Sequence, residues 1–323
     1  MIPPILEQTV AENAWQVDDG LWRILLPLPG PMPFVNAFAV ASAGEYMLID
    51  CGMNWDPSLR ALGRALKAIG VPDHGLTQIL ITHRHTDHAG GAGPVQSRWG
   101  GRTLLHPKGA AWQPTPPALM QEWLAQHGMD RELAAAAAAP SRAYPEYLPA
   151  QVDCLNLDAP LRLGDLRFEV IPVPGHAIDM VMLREPRRGW LLSADMLLPQ
   201  PAVNVWSFPG SGHNPLGDYF RSLELTAHQA AALILPSHGM PRRGGLPAMV
   251  EAMAEFDHRF LADIRQAVQE RRGTAWELVQ RLRPQAADPT NARWAMGEFL
   301  AALAHLHTTG AIRQGPDGRW EAA

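Results

Sequence analysis

Apolar positions first come in short runs and later at helical spacing, and that change divides the chain. Three runs, Leu21–Leu28, Phe34–Ala41 and Glu45–Asp50, are separated by turn-forming PGPMP and SAG, which predicts a β-meander. Asp56-Pro57 then reads as a helix N-cap with proline at the first helical position, and Leu59, Leu62, Leu66 and Ile69 recur at helical spacing as plain core. Leu76–Thr82 (LTQILIT) is short, apolar and β-branched, the profile of a buried parallel strand. A helix over Pro94–Trp99 and a strand over Arg102–His106 are expected next. Between Pro107 and Pro149 the strand signal stops. Leu119, Trp123 and Leu124 fall at helical spacing and Ala134–Ala139 is strongly helix-forming, so we expect an inserted helical segment, either a lid or substrate wall or structural filler. Strand signals return at Asp153–Leu157, Leu161–Leu163, Leu166–Val173, Met180–Leu183, Trp190–Ser193 and Ala230–Leu235. Beyond them the period is helical: Glu251–Arg272, Trp276–Leu282, and Trp294–His307 with Phe299, Leu300, Leu303 and Leu306 inward. Gly310–Trp320 closes as a hairpin about Pro316-Asp317-Gly318.

The chemistry gathers where strands end. Directly after Leu76–Thr82 comes His83-Arg84-His85-Thr86-Asp87-His88-Ala89-Gly90-Gly91. In extended backbone, residues two apart point the same way, so His83 and His85 converge on one ion while Asp87 and His88, at the turn, face a second. Gly90, Gly91 and Gly93 let the chain turn tightly into the next helix. A lone loop histidine is usually solvated, but four ligand-type residues in positions 83 to 88 are not a lone histidine. Pro174-Gly175-His176, Ala194-Asp195 and Pro236-Ser237-His238-Gly239 repeat the pattern of buried strand followed by ligand, at the place where α/β folds put chemistry. A mostly imidazole set suits zinc, iron or manganese better than calcium or magnesium.

Composition narrows the setting. For 323 residues, one large domain plus an appendage is the natural expectation: residues 1–245 with the insertion at 107–149, then a helical unit over 246–323. A net charge of −5 gives no field toward nucleic acid or anionic membrane. No stretch approaches about 18 apolar residues, no signal-like start is present, and two thiols, Cys51 and Cys154, fit a reducing compartment, so a cytoplasmic protein without membrane attachment is expected.

THRHTDHAGG, PGH, SAD and PSHG, in that order between Leu21 and Gly239, resemble the metallo-β-lactamase superfamily. The resemblance implies an α/β fold, an αββα sandwich of two mixed β-sheets with helices outside and a dinuclear site at one edge. It assigns His83, His85 and His176 to one metal, Asp87, His88 and His238 to the other, and Asp195 to both. Asp50 would orient the metal loop, since ligating imidazoles need their second nitrogen fixed. A bridging Asp195 is similar to hydroxyacylglutathione hydrolases and nucleases rather than true β-lactamases, so β-lactam hydrolysis is not expected. PGHAIDM departs from the PGHTPGH of glyoxalase II-like members and is closer to the lactamase-beta-2-like branch, whose appended winged helix the C-terminal helices and hairpin resemble. From Phe256 to Ala323 nine Arg and no Lys stand against eight acidic residues, no footprint for nucleic acid.

These readings imply a hydrolase with two divalent ions, zinc first and iron or manganese as alternatives. Hydroxide held between the ions and oriented by Asp87 would attack an ester or thioester, an acyl thioester ahead of others. The sequence contains no G-x-S-x-G elbow, and Cys51 is assigned to packing. The long connection Pro199–Tyr219 carries Asn204, Trp206, Phe208, His213 and Tyr219, of which Trp206, His213 and Tyr219 are candidate substrate contacts. The expected partner is a small acyl substrate, and a homodimer is left open. The alternative substrate is single-stranded RNA, for which Arg84, Arg98, Arg102, Arg242 and Arg243 would have to line a groove. A ligand-binding signalling protein is a third reading, opposed by the complete ligand set.

Overall fold

The structure, a computed structural model, describes residues 8–30, 32–139, 148–198 and 205–323. One sheet holds β1 (Gln8–Ala11), β2 (Ala14–Asp18), β3 (Leu21–Pro27), β4 (Phe34–Ser42), β5 (Glu45–Ile49), β6 (Leu76–Leu80), β7 (Arg102–Leu105) and β8 (Asp153–Cys154), side by side in chain order. Its first five strands form an antiparallel meander, and β6, β7 and β8 join in parallel. The second sheet holds β9 (Leu161–Leu163), β10 (Leu166–Pro172), β11 (Val181–Glu185), β12 (Trp190–Ala194), β13 (Leu233–Pro236) and β14 (Arg242–Arg243), in the order β14-β13-β12-β11-β10-β9. There β12 and β13 are parallel and the other pairs antiparallel, so both sheets are mixed.

Successive side chains on a strand point to opposite faces, and each sheet is apolar on both. In β5, Met47 and Ile49 face the other sheet while Leu48 faces outward; in β4, Phe38 and Val40 face in while Ala37 and Ala39 face out. The second sheet does the same with Val181, Leu183, Trp190, Leu192, Leu233 and Leu235 inward and Met182, Leu191 and Ile234 outward. Phe168, fully buried in that central layer, would cost about 3–5 kcal/mol to truncate to alanine. Strands apolar on both faces need two covers, and helices supply the outer ones. Against the first sheet lie α1 (Asp56–Ile69) and, after the single turn α2 (Thr86–Ala89), α3 (Ala92–Trp99). After the short α4 (Pro107–Ala111), the second sheet is covered by α5 (Pro117–Gln126), α6 (Arg131–Ala138), α7 (Pro215–Ala227), α8 (Leu246–Glu270), α9 (Ala275–Leu282) and α10 (Pro289–Thr308). The layers therefore read helix, sheet, sheet, helix.

Five elements depart from the sequence reading. Two strands, β1 and β2, precede the meander, and α7 occupies the end of a stretch read as loop. In the C-terminal region, helices α8 and α10 begin earlier than their apolar period suggests; the N-cap of α10 is Asp288, whose carboxylate accepts from the backbone N–H of Thr290 and Asn291. The expected hairpin is β15 (Ile312–Gln314) paired with β16 (Trp320–Ala322). Met120 and Leu124 of α5, Ala194 and Met196 at the sheet edge, and Ile264, Trp276 and Phe299 of the C-terminal helices share one continuous core. No helix among the described residues is long and apolar enough to cross a membrane.

Candidate metal centre

The C-terminal ends of β6, β10, β12 and β13 open at one edge of the seam between the sheets. His83, His85, Asp87 and His88 follow β6, His176 follows β10, Asp195 follows β12 and His238 follows β13. Backbone bonds tie the seam here: Val181 N–H donates to Thr82 O at 3.0 Å and Asn36 N–H to Ser237 O at 2.7 Å. One group of donors comprises His83 Nε2 and His176 Nε2, 3.0 and 2.9 Å from His85 Nδ1. A second comprises Asp87 Oδ2, 3.5 Å from His88 Nε2 and 3.4 Å from His238 Nε2. Asp195 lies between them, with Oδ1 3.5 Å from His88 Nε2 and Oδ2 3.4 and 3.6 Å from the Nε2 atoms of His176 and His238. The structure thus brings all seven sequence-derived ligand candidates into one cluster.

Whether these residues suit metal ions is decided by atoms that have nothing else to do. His88 Nε2, His238 Nε2 and Asp195 Oδ1 are buried with no hydrogen-bond partner, an arrangement that costs about 1–3 kcal/mol per atom. All three converge on the cluster, and divalent ions would satisfy them. The charge states agree. Burial, with His88 and the other imidazoles adding to it, holds His83 well below its ordinary value, and burial with His176 pulls His85 down to about 3, so both are neutral donors. Burial pushes Asp87 and Asp195 up, but His88 and His238 outweigh it and hold both carboxylates well below their usual range. Conversely, burial lowers His88 and His238, yet the facing carboxylates outweigh it and raise both.

Other residues aim these donors. Asp50 accepts from Thr82 N–H at 2.8 Å, from Thr82 Oγ1 at 2.9 Å and from His88 Nδ1 at 2.8 Å, which turns His88 Nε2 toward the cluster. It does so from a left-handed backbone, φ 61°, as does Ala194 beside Asp195, φ 48°; such conformations persist where the surroundings enforce them. His238 Nδ1 donates to Phe34 O at 3.1 Å, and Asn36 Nδ2 pins the same loop through Pro236 O and Gly239 O. Asp179 accepts from Arg84 N–H at 3.1 Å, fixing the backbone between His83 and His85. Asn36 and Asp179 were not singled out from sequence; a polar residue inside the apolar run FVNAFAVA was the available signal for Asn36. Gly90 and Gly91 prove necessary for another reason than turning, since both have ordinary negative φ. A Cβ on Gly91 would meet Cys51 O at 2.6 Å, so the glycine permits close approach.

The three candidate substrate contacts separate. The Trp206 ring stands 5.7 Å from the His85 ring and 5.6 Å from the His176 ring, at the cluster itself. His213 is exposed. Tyr219 is fully buried in α7 with its hydroxyl 3.4 Å from Met196 O, beneath the loop that carries His176, and offers a substrate no surface. Asn204 lies outside the described residues. Cys51 is buried, and burial together with Asp50 raises its thiol pKa, which suits packing and not nucleophilic attack.

Residues 30–238 match the family model of the metallo-beta-lactamase superfamily, a span that reaches from the meander to the last ligand candidate. The chain belongs to that superfamily. Among superfamily relatives, the probable metallo-hydrolase YqjP of Bacillus subtilis is 25% identical over 272 residues, covering 81% of this chain and 85% of that one. Metallo-beta-lactamase family protein TTHA1429 from Thermus thermophilus superimposes with a TM-score of 0.82 at 26% identity, over 95% of this chain and all of that one. A shorter match, 35% identical over 74 residues and covering 23% of this chain and 24% of that one, is to ribonuclease Z of Mycobacterium avium. Superfamily membership supports a hydrolase, and the His/Asp groups of this cluster could hold metal ions.

Proposed function

We propose that the protein hydrolyses carboxylic esters or thioesters, acyl thioesters first, at a site holding two divalent ions. The observation that carries this reading is Asp195, placed between two donor groups, in a cluster where Trp206 stands against His85 and His176. His83, His85 and His176 would hold one ion, Asp87, His88 and His238 the other, and Asp195 would touch both; the imidazole-rich set favours zinc, with iron or manganese next. Bound there, such ions supply Lewis acidity and bring the pKa of water toward neutrality. Asp87, ionised and partly open at the mouth, is the acceptor that orients an incoming water. Trp206, against His85 and His176, would shield the reacting group from bulk solvent. Three of the five arginines that RNA would require are engaged locally: Arg84 donates to Gly109 O and Trp112 O, Arg102 pairs with Asp153, and Arg98 lies over Trp99. Unpaired Cys51 and Cys154 accord with a reducing, cytoplasmic setting.

The test is thiol release from a panel of acyl thioesters by metal-loaded protein, with Asp87→Ala alongside. We expect release that falls at least a hundredfold in a variant whose circular dichroism is unchanged. Full turnover in Asp87→Ala would remove this mechanism. No release by wild-type protein shown to carry two metals per chain would turn attention to phosphodiesters, with Arg242 and Arg243 of β14 as the first residues to examine.

A further inference from the structure

A continuous line of rings runs outward from the metal cluster. Trp206, against His85 and His176, meets Trp294 of α10 at 4.7 Å, and Trp294 meets Phe208 at 6.0 Å, which in turn faces Trp123 of the insertion at 5.9 Å. This wall is seated on α10 by a glycine: a Cβ on Gly297 would lie 2.7 Å from Phe208 Cζ and 3.0 Å from Trp206 Cδ1, and Ser207 N–H donates to Gly297 O at 3.0 Å. On its far side it is pinned by Thr115, whose hydroxyl donates to Pro209 O at 3.3 Å. Trp294 keeps 40% of its surface exposed, so the wall is open to a ligand.

Beside Phe208 and Trp294 stands Arg293. Its guanidinium lies 5.4 Å from the Phe208 ring and 5.7 Å from the Trp294 ring. Its Nε is buried without a hydrogen-bond partner, and none of the ion pairs among the described residues includes it. The nearest acid on α10 is engaged elsewhere: Glu298 pairs with Arg283 and lies beside the Trp206 indole, short of a well-aligned hydrogen bond. A surface arginine needs no partner because water serves it; Arg293 Nε is shut off from water, and burial pulls its pKa down. Stacking leaves the donor edge of a guanidinium free, in a fork that matches carboxylate and phosphate oxygens.

We propose that Arg293 and the Trp206–Trp294–Phe208 wall form a recognition site for the non-reacting end of the substrate, taking an apolar or planar body along the rings and an oxyanion, carboxylate or phosphate, at Arg293. This rests on the hydrolase reading for the reacting end, and it narrows the substrate class to acyl esters or thioesters that also carry an anion remote from the scissile bond.

Matched arylacetyl thioesters bearing a para-carboxylate, a para-phosphate or a neutral para-carboxamide would be assayed with metal-loaded wild type and Arg293→Gln. The ratio of kcat/KM for an anionic compound over the neutral one is expected to fall at least tenfold in the variant, and the two anionic arms identify which oxyanion the site takes. Arg293→Lys, which keeps the charge but loses the planar fork, should recover only part of that ratio. In parallel, indole fluorescence is titrated with 4-toluenesulfonate, an aryl oxyanion that ligates divalent metals poorly, and its Kd should weaken tenfold or more in Arg293→Gln. A ratio and a Kd both within twofold of wild type overturn the site. Absence of any turnover by wild type strikes the hydrolase reading instead, and the titration then decides the anion site alone.

Discussion

Asp50 shows how one carboxylate can set a whole cluster: it holds the backbone of Thr82 and one nitrogen of His88, so both the loop and a ligand candidate depend on it. Losing such a supporting group typically costs 10–100-fold in metal affinity. We expect Asp50→Ala to weaken metal binding by about that factor, measured by competition with a chromogenic chelator; an affinity within threefold of wild type would remove Asp50 from this role. Protons report on the same atoms. His88 and His238 are raised above their ordinary value by the facing carboxylates, whereas a ligating imidazole must be neutral. Metal must therefore displace protons from them, and affinity should fall as pH drops through the raised values. Calorimetry at pH 7 in two buffers of different ionisation enthalpy should show proton release, and identical heats would contradict these assignments.

At the scale of elements, α8 carries a buried acid outside the metal cluster. Burial and the neighbouring Glu298 raise Asp257 to about 7. Because the folded form keeps a proton that the unfolded form releases near 3.8, stability is greatest below that value and is lost as pH rises toward 7. Asp257→Asn, which mimics the protonated acid, should match wild type near pH 4 and exceed it at pH 8 by at most about 4 kcal/mol, read from urea midpoints; equal midpoints at pH 8 would show Asp257 to be adequately paired. Helical spacing puts Asp257 on the apolar face with Met253, Leu261 and Ile264, but the Glu298 that helps raise it is on another helix and comes near only on folding. The same contrast runs through the fold. His83, His85, Asp87, His88, His176, Asp195 and His238 were legible because each follows a buried strand in a short, apolar run. Tyr219 was misplaced because α7 starts from Asn214, whose side chain caps Gly217 N–H ahead of Pro215, inside a stretch whose aromatic and glycine content suggests loop. Asn36 and Asp179 were missed because their partners, some 200 and 95 residues away along the chain, exist only after folding.

For the whole molecule, the C-terminal helices and the insertion fill one core against the outer face of the second sheet. Residues 1–245 alone would keep the insertion and α7 but lose α8, α9 and α10, leaving the C-terminal half of that core uncovered. We expect the fragment ending at Gly245 to lack a cooperative thermal transition and to bind a hydrophobic dye, while the full chain melts in one step; a sharp transition in the fragment would make the two parts independent units. The metal cluster lies across the other great division of the molecule, with donors from the end of one sheet's strand facing donors from three strands of the other. Ions seated there would act as a rivet through the seam. A chain with its halves unclosed has only half a socket on either side, so loading and closure become a single event, and a molecule that holds its metals has passed an inspection of its own assembly.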